Sequence, residues 1–185
     1  MYVNLPRIEI RGNKIVISDE ELGKVSAIIY KCALRDNFEK MVDYYERLMP
    51  DDCFCVLLPE GLLYSLRILS LAILYTYKIL SKHKSKIKKP SLLLLSILLC
   101  KKQVSEVIDI VTRYSGIKKY VYTIIVCRDK TIPAQTGLNS CRDADFLEID
   151  INALKEIYGI SMDTLEDIED YISTKITGHI VKNYY

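Results

Sequence analysis

The sequence predicts one α+β domain, with helices packed on a small, mostly antiparallel sheet. Half of the 185 residues are hydrophobic, enough material for one core in a chain of this length. Charged residues make up 27%, which removes intrinsic disorder as the default. Short strand-like runs are interleaved with amphipathic helical ones, and no repeat, low-complexity run or linker divides residues 1–185.

Along the chain, residues 7–17 (R-I-E-I-R-G-N-K-I-V-I) alternate around Gly12-Asn13 and read as a hairpin or two short strands. Ser18-Asp19-Glu20-Glu21 offers a cap followed by acids, so a helix is expected from there to about Met49, with a break near Asp36-Asn37 and an end at Pro50-Asp51-Asp52. Residues 53–58 form a short apolar strand, and Pro59-Glu60-Gly61 leads into residues 62–80. That run raises the question of a membrane span, yet Arg67 within it costs about 2.5–3.5 kcal/mol on insertion scales. On a helix, Glu60, Tyr64, Arg67, Leu71, Lys78 and Lys82 fall into one stripe, which describes a nearly buried soluble helix with one wet edge.

Residues 82–90 (K-H-K-S-K-I-K-K-P) are a basic loop. Residues 91–99 are solidly apolar, a buried helix or strand that periodicity alone does not distinguish. Residues 103–114 place Val104, Val107, Ile108 and Val111 on one helical face, and Ser115-Gly116 closes that helix. Residues 119–127 are apolar on both alternating faces, as a central strand should be. Residues 128–142 read as a loop, 145–149 as a strand, and 151–158 as a helix stopped by Gly159-Ile160. Ser161 is expected to cap a last helix, with Leu165, Ile168 and Ile172 on one side and Asp163, Glu166, Asp167 and Glu169 on the other.

Chemistry is sparse. The seven glycines are isolated, so no phosphate-cradling loop appears, and two histidines leave few Cys–His or Ser–His couples. No Cys/His spacing fits a metal site. The expectation is no catalysis, no cofactor, no metal and no small-molecule substrate. The six cysteines lie mostly in apolar runs and read as free thiols in a reduced, cytoplasmic setting. A small cysteine-dependent enzyme using Cys53 or Cys55 is the reading from another class.

Charge carries more information. Between residues 78 and 130 stand 13 Lys/Arg against 3 Asp/Glu; between 143 and 170 stand 10 acids against Lys155 alone. Opposite blocks suggest a basic face for a polyanion, against the plainer reading of two solvated surfaces. Lys101-Lys102 immediately precede the helix expected at Gln103, where cations oppose the dipole by about 0.3–1 kcal/mol each. Lysines beside unpaired N–H groups make a natural phosphate site; an ordinary charged turn is the alternative. Lys82, Lys84, Lys86, Lys88 and Lys89 are expected to approach the same surface. The 14 tyrosines offer stacking platforms for unpaired bases, although most suit the edge of the core.

Three stretches in order resemble one family: the apolar helix of residues 62–80, S-L-L-L-L-S-I-L-L-C at 91–100, and K-K-Q-V-S-E-V-I at 101–108. They are similar to the TPRKB family, the small kinase-binding subunit of the KEOPS (EKC) complex. The likeness continues through residues 116–127 and into the tail 153–172, which opens A-L-K-E-I-Y-G-I-S-M-D-T-L-E-D-I; the first 50 residues match only in layout. Cys100 stands where the family often has Gly, and Lys102 where it has Arg. The resemblance implies a non-catalytic subunit of the machine that places threonylcarbamoyl on the adenosine beside the anticodon. It implies two partners, the atypical kinase/ATPase subunit and tRNA, which archaeal members recruit through the 3′ CCA end. Lys101, Lys102 and Gln103 take the tRNA-contact role by position, and the lysines of residues 82–89 by charge alone. Leu66, Leu69, Ile73, Ile172 and Ile176 are candidate kinase contacts, with buried core as the competing reading. A pure protein–protein adaptor is the runner-up.

Overall fold

The computed structural model describes residues 5–34, 38–83, 88–130, 132, 141–144, 146–162 and 164–184. These form an α+β domain in the order β1 (Arg7–Arg11), β2 (Lys14–Asp19), β3 (Gly23–Ala33), α1 (Phe38–Leu48), β4 (Cys53–Pro59), α2 (Leu66–His83), α3 (Pro90–Leu98), α4 (Val104–Ser115), β5 (Tyr120–Arg128), β6 (Cys141–Asp143), α5 (Ile151–Tyr158) and α6 (Leu165–Tyr184). The strands lie β1-β2-β3-β5-β4, all antiparallel. β6 pairs with β3 at Tyr30–Cys32, beyond the stretch that β2 uses.

The first hairpin is as expected, with Gly12 in the left-handed region (φ 56°) at the turn. Asn13 then ties the turn inward: its amide donates to the Ile29 carbonyl and to Asp143.

Residues 18–33 correct the expectation of a helix. Asp19 does not start one; its carboxylate accepts from the N–H groups of Glu21 and Leu22 and closes a turn, with Gly23 at φ 78°. The chain then enters β3, the longest strand. Its Val25, Ile28, Ile29 and Tyr30 suit a strand buried on both faces and paired on both edges. A helix remains only as α1. The suggested break at Asp36-Asn37 lies outside the described residues.

α2 is nearly buried as expected, with Arg67 exposed and Lys78 paired to Asp19, but it begins at Leu66, so Glu60 and Tyr64 fall outside the expected wet stripe and Tyr64 is buried in the core. Ser65 caps it through Arg67 and Ile68. No helix among the described residues is long and apolar enough to cross a membrane. Residues 91–99 resolve as α3, entered by Pro90. α4 buries Val107, Ile110, Val111 and Tyr114, whereas Val104 and Ile108 are each 47% exposed, so its core face is rotated from the predicted one. Residues 146–149 are not a strand: Ile149 makes one isolated bridge to Gly61; residue 145 lies outside the described residues. α5 has Asp150 as N-cap and Gly159 in the left-handed C-terminal position, as expected. α6 is capped by Thr164, which accepts from the Asp167 N–H at 3.3 Å, rather than by Ser161.

One sheet face, with α2 to α6, builds the large core; α1 covers the other. That second face corrects the reading of the cysteines. Cys32 is joined to Cys141 across β3 and β6, and Cys53 to Cys127 across β4 and β5, each pair at directly opposed positions. Cys55 and Cys100 are the free thiols. Disulfides persist in oxidising compartments and in intracellular proteins of hyperthermophiles, so the cytoplasmic reading loses the support it took from reduced cysteines.

Candidate nucleic-acid interface

α3 ends in a tight reversal. Cys100 takes φ 54°, its N–H and that of Lys101 bond back to Ile97 and Ser96, and the Ser96 hydroxyl holds the Lys101 carbonyl. The reversal projects Lys101 and Lys102 toward the last turn of α5 and the second half of α6. A cavity of about 470 Å³ opens there, lined by Lys101, Lys102, Lys175, His179 and Lys182 and, among the described residues, by no carboxylate. Its size is that of a ligand site, about 300–1,000 Å³.

The five basic side chains are not equivalent. Lys101 donates to the Ile157 carbonyl at 3.2 Å and Lys175 to that of Tyr158 at 2.5 Å, so both satisfy acceptors left open where α5 ends. Lys175 also lies 5.0 Å above the Tyr171 ring. Lys102 and Lys182 make no ion pair or hydrogen bond among the described residues. His179 sets Nδ1 3.3 Å from the Asn183 amide, while its Nε2 is buried without a hydrogen-bond partner among them. Burial, and then the charge of Lys102, hold its pKa below the ordinary histidine value. A neutral His179 therefore offers an acceptor or a donor beside four cations. The Cys100 thiol is half-buried, and that burial, only partly offset by Lys175 and Lys101, pushes its pKa up to about 12, so it stays protonated.

The geometry sorts the predicted residues. Lys101 and Lys102 share the cavity. Gln103 stands next to it as the N-cap residue of α4, exposed, its side chain making no cap hydrogen bond. The basic loop is not brought to this cavity by its described residues. Lys82 is exposed at the end of α2, and Lys88 lines a separate hollow with Arg128 and Tyr77. Lys89 pairs with Glu46 beside α1. Lys84 and Lys86 lie outside the described residues.

Leu69, Ile73, Ile172 and Ile176 are fully buried in this chain's own core and present no surface to a partner; Leu66 is half-buried against it. Cys53 is half of a disulfide, and burial raises the Cys55 thiol far above its ordinary pKa, so neither supplies a thiolate nucleophile. Lys175, His179 and Lys182 are not among the site residues that the sequence predicts. Their signal is present as K-x-x-x-H-x-x-K, one face of a helix at i, i+4 and i+7, masked by the acids of the same helix's first turns.

No protein-family model matches the chain, and no curated protein matches it in sequence.

Proposed function

We propose that this chain is a non-catalytic, TPRKB-like subunit of a KEOPS complex that binds the atypical kinase/ATPase subunit and recruits tRNA through its 3′ CCA end. The observation that carries the reading is the basic cavity built by Lys101 and Lys102 with Lys175, His179 and Lys182, into which no carboxylate of the described residues reaches. It lies where the resemblance puts the basic-Gln motif. Low-dielectric walls around charges of one sign focus the field on a phosphate, and a single-stranded end is narrow enough to enter. A second support is Cys100: it adopts the left-handed conformation that favours glycine, at the position where the family often has Gly.

One observation favours the adaptor reading. Lys101 and Lys175 are already engaged by the end of α5, so part of the cluster has a structural task. The two readings separate in reconstitution. With a KEOPS kinase and transferase, the chain should co-purify with the kinase, hydrolyse no ATP alone, and lower the apparent KM for tRNA when added. Kinase binding without any change in the KM for tRNA selects the adaptor. Absence of kinase binding rejects both.

A further inference from the structure

β1 is the outermost strand, and its free edge is well defined. The Ile29 N–H donates to the Asn13 carbonyl at 2.9 Å, so Asn13, Ile15 and Ile17 bond toward β3 and Lys14, Val16 and Ser18 toward β1. In β1, therefore, Arg7, Glu9 and Arg11 turn their backbone groups inward, while Ile8 and Ile10 turn theirs out, with no strand of the described residues beyond them. The Ile8 and Ile10 side chains stand opposite Ile17 and Ile15 of the core, yet remain 39% and 42% exposed. Such an edge invites another strand.

We propose that the edge pairs with β1 of a second copy of this chain, antiparallel, with the two-fold axis through Ile8. Charge selects both the occupant and the register. In this register Arg7 of each copy faces Glu9 of the other, Ile8 faces Ile8, and Ile10 faces Pro6. Centring on Glu9 instead sets Glu against Glu and Arg7 against Arg11. Centring on Ile10 draws Gly12, in its turn conformation, into the ladder. In a single chain Arg7 and Arg11 both fold onto Glu9, at 3.1 and 2.8 Å, on an exposed surface. Charged edges usually guard against pairing; this one is self-complementary. The dimer joins two sheets into one and is independent of the tRNA reading.

Sedimentation velocity over a concentration series at low salt tests it. The wild type should show a monomer–dimer equilibrium in the micromolar range. Glu9→Arg alone and Arg7→Glu alone should each weaken association about tenfold or more, because facing charges become alike. Mixing those two variants should restore dimer as a heterodimer, since every facing pair is again opposite. Ile8→Pro, which removes an outward N–H while leaving the hairpin bonds of Arg7 and Glu9, should abolish the dimer with circular dichroism unchanged. A wild type that stays monomeric throughout, or a mixture that associates no better than either variant alone, overturns the proposal.

Discussion

The two faces of the sheet are stabilised in different ways. Under α2 the face is thick with fully buried aliphatics, including Leu58, Ile68, Leu69, Ile73, Ile124 and Val126, and the other helices close around them. Under α1 the face is thin: Tyr45 is the helix's one buried residue among those described, and Phe38, Met41 and Val42 are only partly covered. Both disulfides lie on the thin side. Apolar burial supplies about 25 cal/mol per Å², which the thick face has in abundance. The thin face relies on covalent links that lower the entropy of the unfolded chain. Where one short helix is the only helical cover among the described residues, cross-strand cysteines take over what a second helix layer does elsewhere.

Removing the links should therefore produce the largest effect. Cys32 and Cys141 are 109 residues apart, Cys53 and Cys127 are 74, and chain-entropy arithmetic puts each closure at about 4–5 kcal/mol. Urea unfolding of a Cys32→Ser/Cys141→Ser variant should show a loss of that order, and hydrogen exchange should rise under α1 before it rises under α2. Thiol titration in denaturant without reductant should find only Cys55 and Cys100. An equal rise in exchange on both faces would break the comparison.

The thick face has one charged residue buried among those described. Lys31 is 6% exposed, paired with Glu60 and Glu148, with its ammonium 4.7 Å from the centre of the Tyr120 ring. Burial pulls its pKa down, but the bonds to Glu148 and Glu60 outweigh that and hold it above the ordinary lysine value. Truncating Lys31→Ala leaves Glu60 enclosed without a counter-charge and should cost about 3 kcal/mol in urea unfolding. Lys31→Ala/Glu60→Gln should recover much of the loss; no recovery would show that the pair is not coupled.

The smallest of these effects concerns the α5 cap. Asp150 bonds Lys118 at 2.7 Å and the Ala153 N–H at 3.0 Å, and these hold its pKa below the ordinary aspartate value. A carboxyl lowered on folding stabilises above its unfolded pKa, near 3.8, and loses that contribution as pH falls through the folded value. Asp150→Ala should cost about 1 kcal/mol at neutral pH and flatten the stability decline below pH ~4. An unchanged acid limb would contradict the assignment.

Legibility from sequence followed the same division. Long periodic or continuous apolar runs, such as α2, α4 and β5, were readable because burial alone decides them. Residues 18–33 were not, because Asp19 serves equally as a helix cap or a turn-closing acceptor; partners far along the chain decided for β3. The disulfides were invisible, since their cysteines meet only when the strands align. Lys101 and Lys102 were readable as cations against a helix dipole. The other half of their cavity is hidden in sequence, because α6 opens on a run of acids and no local rule places its second half beside residue 101.

The central claim is that the cavity between the α3–α4 turn and α6 receives the single-stranded end of tRNA. Lys102 and Lys182 are the direct probes, since neither has a structural partner among the described residues. The measurement is tRNA affinity against salt for the wild type and for Lys102→Glu/Lys182→Glu, with and without the CCA end. The wild type should lose affinity linearly in log salt and lose much of it without CCA. The variant should remain folded, bind more weakly, show a slope flatter by about 0.7 per lost single-strand contact, and respond little to CCA removal. A folded variant that binds intact tRNA as tightly as the wild type, with the same salt slope, contradicts the account.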